Sequence, residues 1–415
     1  MRLKIKALII WLFISSINIW AQDGSPSPYS FFGLGDASFD GGAVSIGMGH
    51  TTVYTDSLHY FLNNPASLAE LKYVNLKLGI KNSFINQRDD SGEVWTSAHN
   101  INYFALGFPI GKKFGAGFGI LPETSTKYNI YTPTDEGVYS FQGSGGLSKL
   151  FIAGAYKINK NFSAGIEYQY HFGFLQHDYI WVPNNSSIYT RDNNYEDFSG
   201  GTFKLSLNYH KNLKKNKYFQ AVFNHRLQTN LNTNFYGSIR LIKIVTNGEY
   251  PVSEDLKPGQ TAQTLLPSLT SIGVGYGEKN KWFVNSEFTY QNFSDFKNPF
   301  YDPAYVQYKD AFATRLGGFY KPEYNSITSY WKRVTYRAGA YYKNTGLNIY
   351  GEDIRDFGIT FGLGLPGLKS ISNLNLGMEF GRRGIKTGNL VLENYFNLHI
   401  SLSLNDRWFI KRKIN

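Results

Sequence analysis

From Phe162 to Tyr170 the chain reads Phe-Ser-Ala-Gly-Ile-Glu-Tyr-Gln-Tyr, so that Phe162, Ala164, Ile166, Tyr168 and Tyr170 fall on one side of an extended strand and Ser163, Gly165, Glu167 and Gln169 on the other. The same alternation runs from Phe203 to Tyr209, with Phe203, Leu205, Leu207 and Tyr209 set against Lys204, Ser206 and Asn208. It returns near the end, where Phe396, Leu398, Ile400, Leu402 and Leu404 alternate with Asn397, His399, Ser401 and Ser403.

Comparable stretches lie near 73–81, 98–110, 113–121, 149–158, 161–172, 200–209, 217–226, 267–277, 281–291, 310–320, 333–343, 354–363, 372–381 and 393–405. Each is ~9–13 residues long, about the span of a tilted strand crossing a bilayer. Connections between them alternate in length. Those at Gly111 to Lys112, Asn159 to Lys160, Lys211 to Asn216, Glu278 to Asn280 and Gly364 to Ile371 are short, whereas 82–97, 122–148, 173–199, 227–266 and 292–309 are long and rich in Asn, Asp, Ser and Tyr. Short turns on one side and long loops on the other belong to outer-membrane barrels. The connections at 321–332 and 344–353 break the rule, one being long and the other short.

A soluble β-sandwich also alternates, but its second face would not carry Lys, Glu, Asn and Gln throughout, nor would aromatics gather at strand ends. Tyr168, Tyr170, Phe172, Trp282, Tyr290, Tyr341, Tyr342 and Trp408 fit interfacial girdles. The fold class read here is all-β: a transmembrane antiparallel β-barrel of about 14 strands with an amino-terminal plug. Its apolar face points to lipid and its polar face, including Glu167, Lys204, Glu287, Arg337 and Glu379, lines the lumen.

Composition agrees. Of 415 residues, 17% are aromatic, only 18% are charged, and 42 are Gly. Past the amino terminus no apolar run reaches the ~20 residues of a membrane helix, which excludes a helical transporter. There is no cysteine, so disulfides and thiol chemistry are excluded while an oxidising compartment is not. The net charge of +11 is not gathered on a nucleic-acid motif, and Lys211, Lys214, Lys215 and Lys217 read as solvated turns.

Met1 to Lys6 is a short basic region, Ala7 to Ile19 an apolar one, and Ala21 a small residue at a cleavage position. Residues 1–21 are therefore read as a secretory signal peptide, which exports the chain. Residues 22–71 do not alternate. Gly33, Gly35, Gly41, Gly42, Gly47 and Gly49 are interleaved there with Phe31, Phe32, Leu34, Val44, Ile46 and Met48, a composition suited to a plug whose backbone approaches a barrel wall. The barrel is read as 72–405 and a basic periplasmic tail as 406–415.

Within this segment Asn64-Pro65-Ala66, preceded by Val53, Tyr54, Asp56 and Ser57 and followed by Ser67, Leu68 and Ala69, resembles the Asn-Pro-Ala signature in the hatch of the FadL/TodX family of outer-membrane hydrophobic-compound transporters. Ser27 to Asp36 and Leu404 to Lys413 look like the Bacteroidota branch of that family. The resemblance covers the whole mature chain. It implies passive uptake of a hydrophobic small molecule, fatty-acid-like or aromatic, through a barrel in the outer membrane, with Asn64, Pro65 and Ala66 in the hatch that the ligand displaces. It also implies a lateral opening at the third strand, where Gly115, Gly117 and Gly119 are followed by Pro122. The other reading of those glycines is that they pack against the plug.

Tyr128, Tyr131, Tyr179, Trp181, Tyr189 and Tyr195 are candidates for an external apolar landing site. The expected partners are outer-membrane lipid, a hydrophobic ligand and, in a second reading, other outer-membrane proteins. In that reading the chain is a non-transporting structural subunit of an assembly such as barrel assembly or type IX secretion, with 227–266, 321–332 and the tail as partner surfaces. No enzyme, cofactor or metal is expected. The eight histidines lack zinc-ligand spacing, and Asp56, Ser57 and His59 as sequence neighbours do not make an oriented triad.

Overall fold

The structure is a computed structural model that describes residues 26–39, 41–245, 248–300, 303–367, 372–387 and 390–406. Residues 1–21, expected to be a signal peptide, and the tail beyond Asp406, and with it Trp408, lie outside the described residues.

Fourteen wall strands follow one another in chain order. They are β1 (Val74–Arg88), β2 (Glu93–Ile110), β3 (Phe114–Pro122, then Thr124–Pro133), β4 (Gly137–Lys157), β5 (Phe162–Pro183), β6 (Ile188–Asn212) and β7 (Lys217–Arg226, then Thr229–Val245). The remainder are β8 (Gly248–Leu266, then Leu269–Glu278), β9 (Trp282–Gln291), β10 (Ala311–Tyr320), β11 (Thr335–Ile349), β12 (Glu352–Pro366), β13 (Asn373–Arg383) and β14 (Leu392–Asp406). Neighbours are antiparallel, and β14 closes on β1 through an unbroken register from Leu392↔Arg88 to Asp406↔Val74. The result is a closed 14-strand barrel.

Each alternating stretch of the sequence lies on one wall strand, with its polar side inward. On β6, Lys204, Ser206 and Asn208 are buried, while Phe203, Leu205 and Leu207 are exposed on the outer face. A water-soluble protein places these two sets the other way round; apolar outside and polar inside is the arrangement that lipid requires.

The strands are longer than the alternation indicates. Segments 122–148, 173–199 and 227–266, expected as loops, instead form strands that carry the wall upward from the long-loop end. Their pairing is backbone to backbone and tolerates side chains of either kind on either face, so no apolar period marks it. The upper parts of β7 and β8 pair from Thr229↔Leu266 to Val245↔Gly248, with the register shifting between Phe235 and Gly237 and between Leu241 and Ile242.

Residues 26–71 make contacts around the ring and so occupy its interior. Thr52 donates through its N–H and hydroxyl to Glu287 Oε2 of β9 at 2.7 and 2.8 Å. Gln220 of β7 donates to the Thr55 carbonyl at 3.0 Å, and Gly49 N–H donates to Thr360 Oγ1 of β12 at 2.9 Å. Tyr60, Leu68 and Leu71 pack on Tyr103, Ala105 and Phe151 of β2 and β4.

The closure is directly testable because the chain has no cysteine of its own. Leu78 and Leu402 face each other across the β1–β14 seam. The double substitution Leu78→Cys with Leu402→Cys is expected to form a disulfide on oxidation, read as faster migration of the denatured, unreduced chain. An open sheet would leave the two thiols unlinked.

Candidate functional site in the barrel lumen

Pro65 starts a 3-10 turn, Pro65–Glu70, where its fixed φ and missing N–H are both accommodated. Asn64 precedes it, yet its side chain makes no capping bond and turns instead to the wall. Its Nδ2 donates to Asn208 Oδ1 at 2.9 Å and to the Thr52 carbonyl at 3.4 Å, while Ser206 Oγ donates to its Oδ1 at 2.7 Å. Asn64 is fully buried, so these bonds stand where water would otherwise be. Pro65 and Ala66 lie against Gly165 of β5, where an added Cβ would come within 2.4 Å of Ala66 N. The tripeptide thus rests on β5 and β6.

The third-strand glycines face the same segment at another point. A Cβ at Gly115 would sit 2.1 Å from the Leu68 carbonyl oxygen, and one at Gly117 would lie 3.1 Å from a Leu68 methyl and 3.3 Å from the Tyr60 ring. Gly119 abuts Phe151 and the Phe104 carbonyl. Across all three the β2–β3 ladder is regular, from Phe104↔Ile120 to Ile110↔Phe114.

The ladder ends just beyond them. Pro122 is the last residue of the lower piece of β3, and Glu123 separates it from the upper piece. Among the described residues, Glu93–Tyr103 of β2 has ladder pairing with β1 alone, while the upper piece of β3 pairs with β4 on one edge. On its other edge a two-residue strand of the amino-terminal segment, Asp36–Ala37, pairs with Thr124 and Ser125. Glu123 holds this junction: its N–H donates to Leu147 O at 2.8 Å, and its carbonyl accepts from Ser38 N–H at 2.9 Å. Its carboxylate takes Lys149 Nζ at 2.7 Å and Arg226 Nη1.

From across the lumen, Arg383 of β13 pairs with Asp36 at 2.6 Å and donates to Ser27 Oγ at 2.8 Å. Gly35 makes the approach possible. It has φ +94°, and a Cβ there would lie 2.3 Å from Thr126 Oγ1. Sequence reasoning did not single out Glu123, Asp36 or Arg383. The available signal was the acidic residue following Pro122 where an alternating stretch stops.

Between the segment and the wall lies a cavity of about 230 Å³. Lys81, Lys343, Arg315, Arg383, Asp356 and Glu379 are among its lining residues, together with Phe39 and Ile46. Glu379 is held by His50 at 3.2 Å, His399 at 3.5 Å and the Tyr341 hydroxyl at 2.5 Å. The external aromatics divide. Tyr128 is buried and meets Phe31 edge-on at 4.9 Å, Tyr179 meets Phe141, and Trp181 stacks near Tyr139. Tyr189 packs with Ile180 and Ile242, and Tyr195 with Phe174 and Tyr236.

Asp56 and His59 do come together, Oδ2 to Nδ1 at 2.7 Å. The other imidazole nitrogen lies 3.1 Å from Asn373 Nδ2 and not on Ser57, so the pair ties the segment to β13. Burial pushes the Asp56 carboxyl up, but the His59 ring and the N–H groups of Leu58 and His59 outweigh it and hold the group well below the usual carboxylate range.

Two predictions follow from this packing. Asn64→Ala leaves Ser206 and Asn208 without their buried partner, and is expected to cost about 1–3 kcal/mol in the local opening of 50–71, read by hydrogen exchange. For Asp56 the folded value is depressed, so its stabilisation is present above the ordinary carboxylate value and is lost as pH falls below it. Exchange protection of 55–60 is expected to be level from neutrality to about pH 5 and to decline below about pH 4. Asp56→Asn should remove that dependence.

The fold has solved counterparts. The toluene transporter TodX of Pseudomonas putida superposes with a TM-score of 0.60 at 16% identity, covering 90% of this chain and 100% of that one. The monoaromatic hydrocarbon channel CymD gives 0.58 at 14%, covering 89% and 98%, and a Pseudomonas aeruginosa FadL homologue gives 0.57 at 14%, covering 90% and 99%. Likeness at such identity establishes a shared architecture. No curated protein matches the chain in sequence. The sequence model of the BamG family matches residues 3–415, nearly the whole length, and the chain accordingly belongs to the BamG family.

Proposed function

We propose that this chain is an exported outer-membrane barrel, plugged by residues 22–71, that serves as a structural subunit of a larger outer-membrane assembly such as barrel assembly or type IX secretion. The observation that carries this reading is the chemistry of the interior. A site for a hydrophobic molecule is a mainly apolar concavity with few polar groups. Here the cavity is bordered by ammonium, guanidinium and carboxylate groups, and an apolar solute would strip them of water without replacing their partners. Of the apolar side chains of the plug, Tyr60, Leu68 and Leu71 are spent on the wall, while Phe39 and Ile46 border the cavity among these charges.

A second reading, passive passage of a hydrophobic small molecule, is favoured by one specific feature. The β2–β3 ladder stops at Ile120, and the edge of β3 exposed beyond Glu123 is covered by Asp36–Ala37 of the plug. Displacing that short strand would uncover a path through the wall next to Gly115, Gly117, Gly119 and Pro122. Asn64, Pro65 and Ala66 would then be the fixed end of the moving segment. The fold shared with hydrocarbon channels is compatible with either reading.

The two are separated by purifying the protein from its native outer membrane in mild detergent and recording bound molecules and partners by native mass spectrometry. The expected result is stoichiometric co-purification with other outer-membrane proteins and an empty lumen. An isolated barrel carrying one apolar small molecule would overturn it. Ala37 and Thr124 pair directly, so Ala37→Cys with Thr124→Cys locks the plug strand. The lock is expected to leave assembly unaffected; loss of uptake of a hydrophobic compound would instead support passage.

A further inference from the structure

The short-turn end of the barrel, which faces the periplasm in outer-membrane barrels, carries one connection unlike the others. Residues 321–334 join β10 to β11 where neighbouring connections such as 279–281 are tight. The segment is folded. Glu323 N–H donates to Lys332 O at 2.8 Å, Lys321 N–H donates to Lys281 O at 2.6 Å, Tyr330 hydroxyl donates to Pro366 O at 3.2 Å, and Val334 and Ser326 are buried. This frame does not bury its large apolar side chains. Ile327 is 97% exposed, Trp331 63% and Tyr324 54%.

We infer that residues 321–334 form a foot that sits in the phospholipid headgroup layer of the inner leaflet, with Ile327 and Trp331 entering the acyl boundary and Arg333 and Lys332 meeting phosphate. This rests on the membrane-spanning reading of the barrel. Three observations point to lipid rather than to a protein. The surface is continuous with the lipid-facing belt: Tyr320 and Tyr336 pair across β10 and β11, both are exposed on the outer face, and the Tyr336 hydroxyl donates to Trp331 O at 3.2 Å. Above them on the same face is Leu316, also exposed.

Next, Trp and Tyr beside basic residues is the composition that partitions to a bilayer interface, ring in the boundary and cation at the headgroups. Finally, the charge has the required sign and is partly unspent. Lys332 reaches Glu323 at 3.3 Å, whereas Arg333 lies over the Tyr330 ring at 5.4 Å and meets no carboxylate among the described residues.

The absence of native cysteine allows one label at a time. Ile327→Cys, Leu316→Cys and Ser91→Cys of the full chain are each labelled with a nitroxide and reconstituted into vesicles of phosphatidylethanolamine and phosphatidylglycerol. Accessibility to oxygen is then compared with accessibility to a water-soluble nickel complex. Ile327 is expected to fall between Leu316, in lipid, and Ser91, in the external turn. If Leu316 reads as lipid-exposed while Ile327 matches Ser91, the foot is refuted and the barrel placement stands. If Leu316 is also aqueous, the membrane-spanning reading itself fails. A label at Ile327 that is mobile in vesicles but immobilised in native membranes would assign the surface to a protein and overturn the inference.

The headgroup contact is read separately. The double substitution Lys332→Gln with Arg333→Gln is expected to lower phosphatidylglycerol retained in native mass spectrometry by about fivefold per charge removed. Unchanged retention would refute the phosphate contact.

Discussion

In hydrocarbon no water is present to pair a backbone N–H or carbonyl, so a sheet that enters it must have no edge. Everything else in this molecule depends on the seam where Asp406 meets Val74. Once that register is set, each of the fourteen strands has a neighbour on both sides within the apolar belt, and the alternation of side chains is forced outward and inward in turn. The wall loosens beyond Ile120 of β3, where lower pairing gives way to the junction at Glu123.

Closure creates a second problem. A ring of this size encloses many inward-facing polar groups, and charged ones among them are costly unless paired. The chain answers with its own amino-terminal segment. Glu287 of the wall is met by Thr52, and Arg383 by Asp36. Gly115, Gly117 and Gly165 give the segment room to come within contact of the wall backbone. Wall and segment are therefore complements: the inward row of β6, Lys204, Ser206 and Asn208, supplies partners to Asn63 and Asn64 that neither side could find in lipid.

The parts of this design that were legible in the sequence are those governed by a local period. Phe203 to Tyr209 declares a strand with a lipid face and a lumen face because both solvents act on the same few residues. Thr229 to Val245 declares nothing of the kind, since above the belt neither face meets hydrocarbon and only backbone pairing with β6 and β8 defines the strand. The tripeptide at Asn64 was visible as a resemblance, but its partners Ser206 and Asn208 lie far along the chain. Asp36 and Arg383 are separated by 347 positions, and no window read along the sequence brings them together.

That separation bears on how the molecule is made. Asp36, Gly49 and Thr52 lie early in the chain and leave the ribosome well before their partners Arg383, Thr360 and Glu287. Contacts this distant in sequence form slowly, because the loops between them must close first. The part of the segment whose partners come late thus reaches its final place last, and until β10 arrives Val44 and Met48 lack the cover that Phe319 gives them. Maturation of this barrel consequently calls for something to shield those residues during the wait, a demand set by chain order and not by the finished fold.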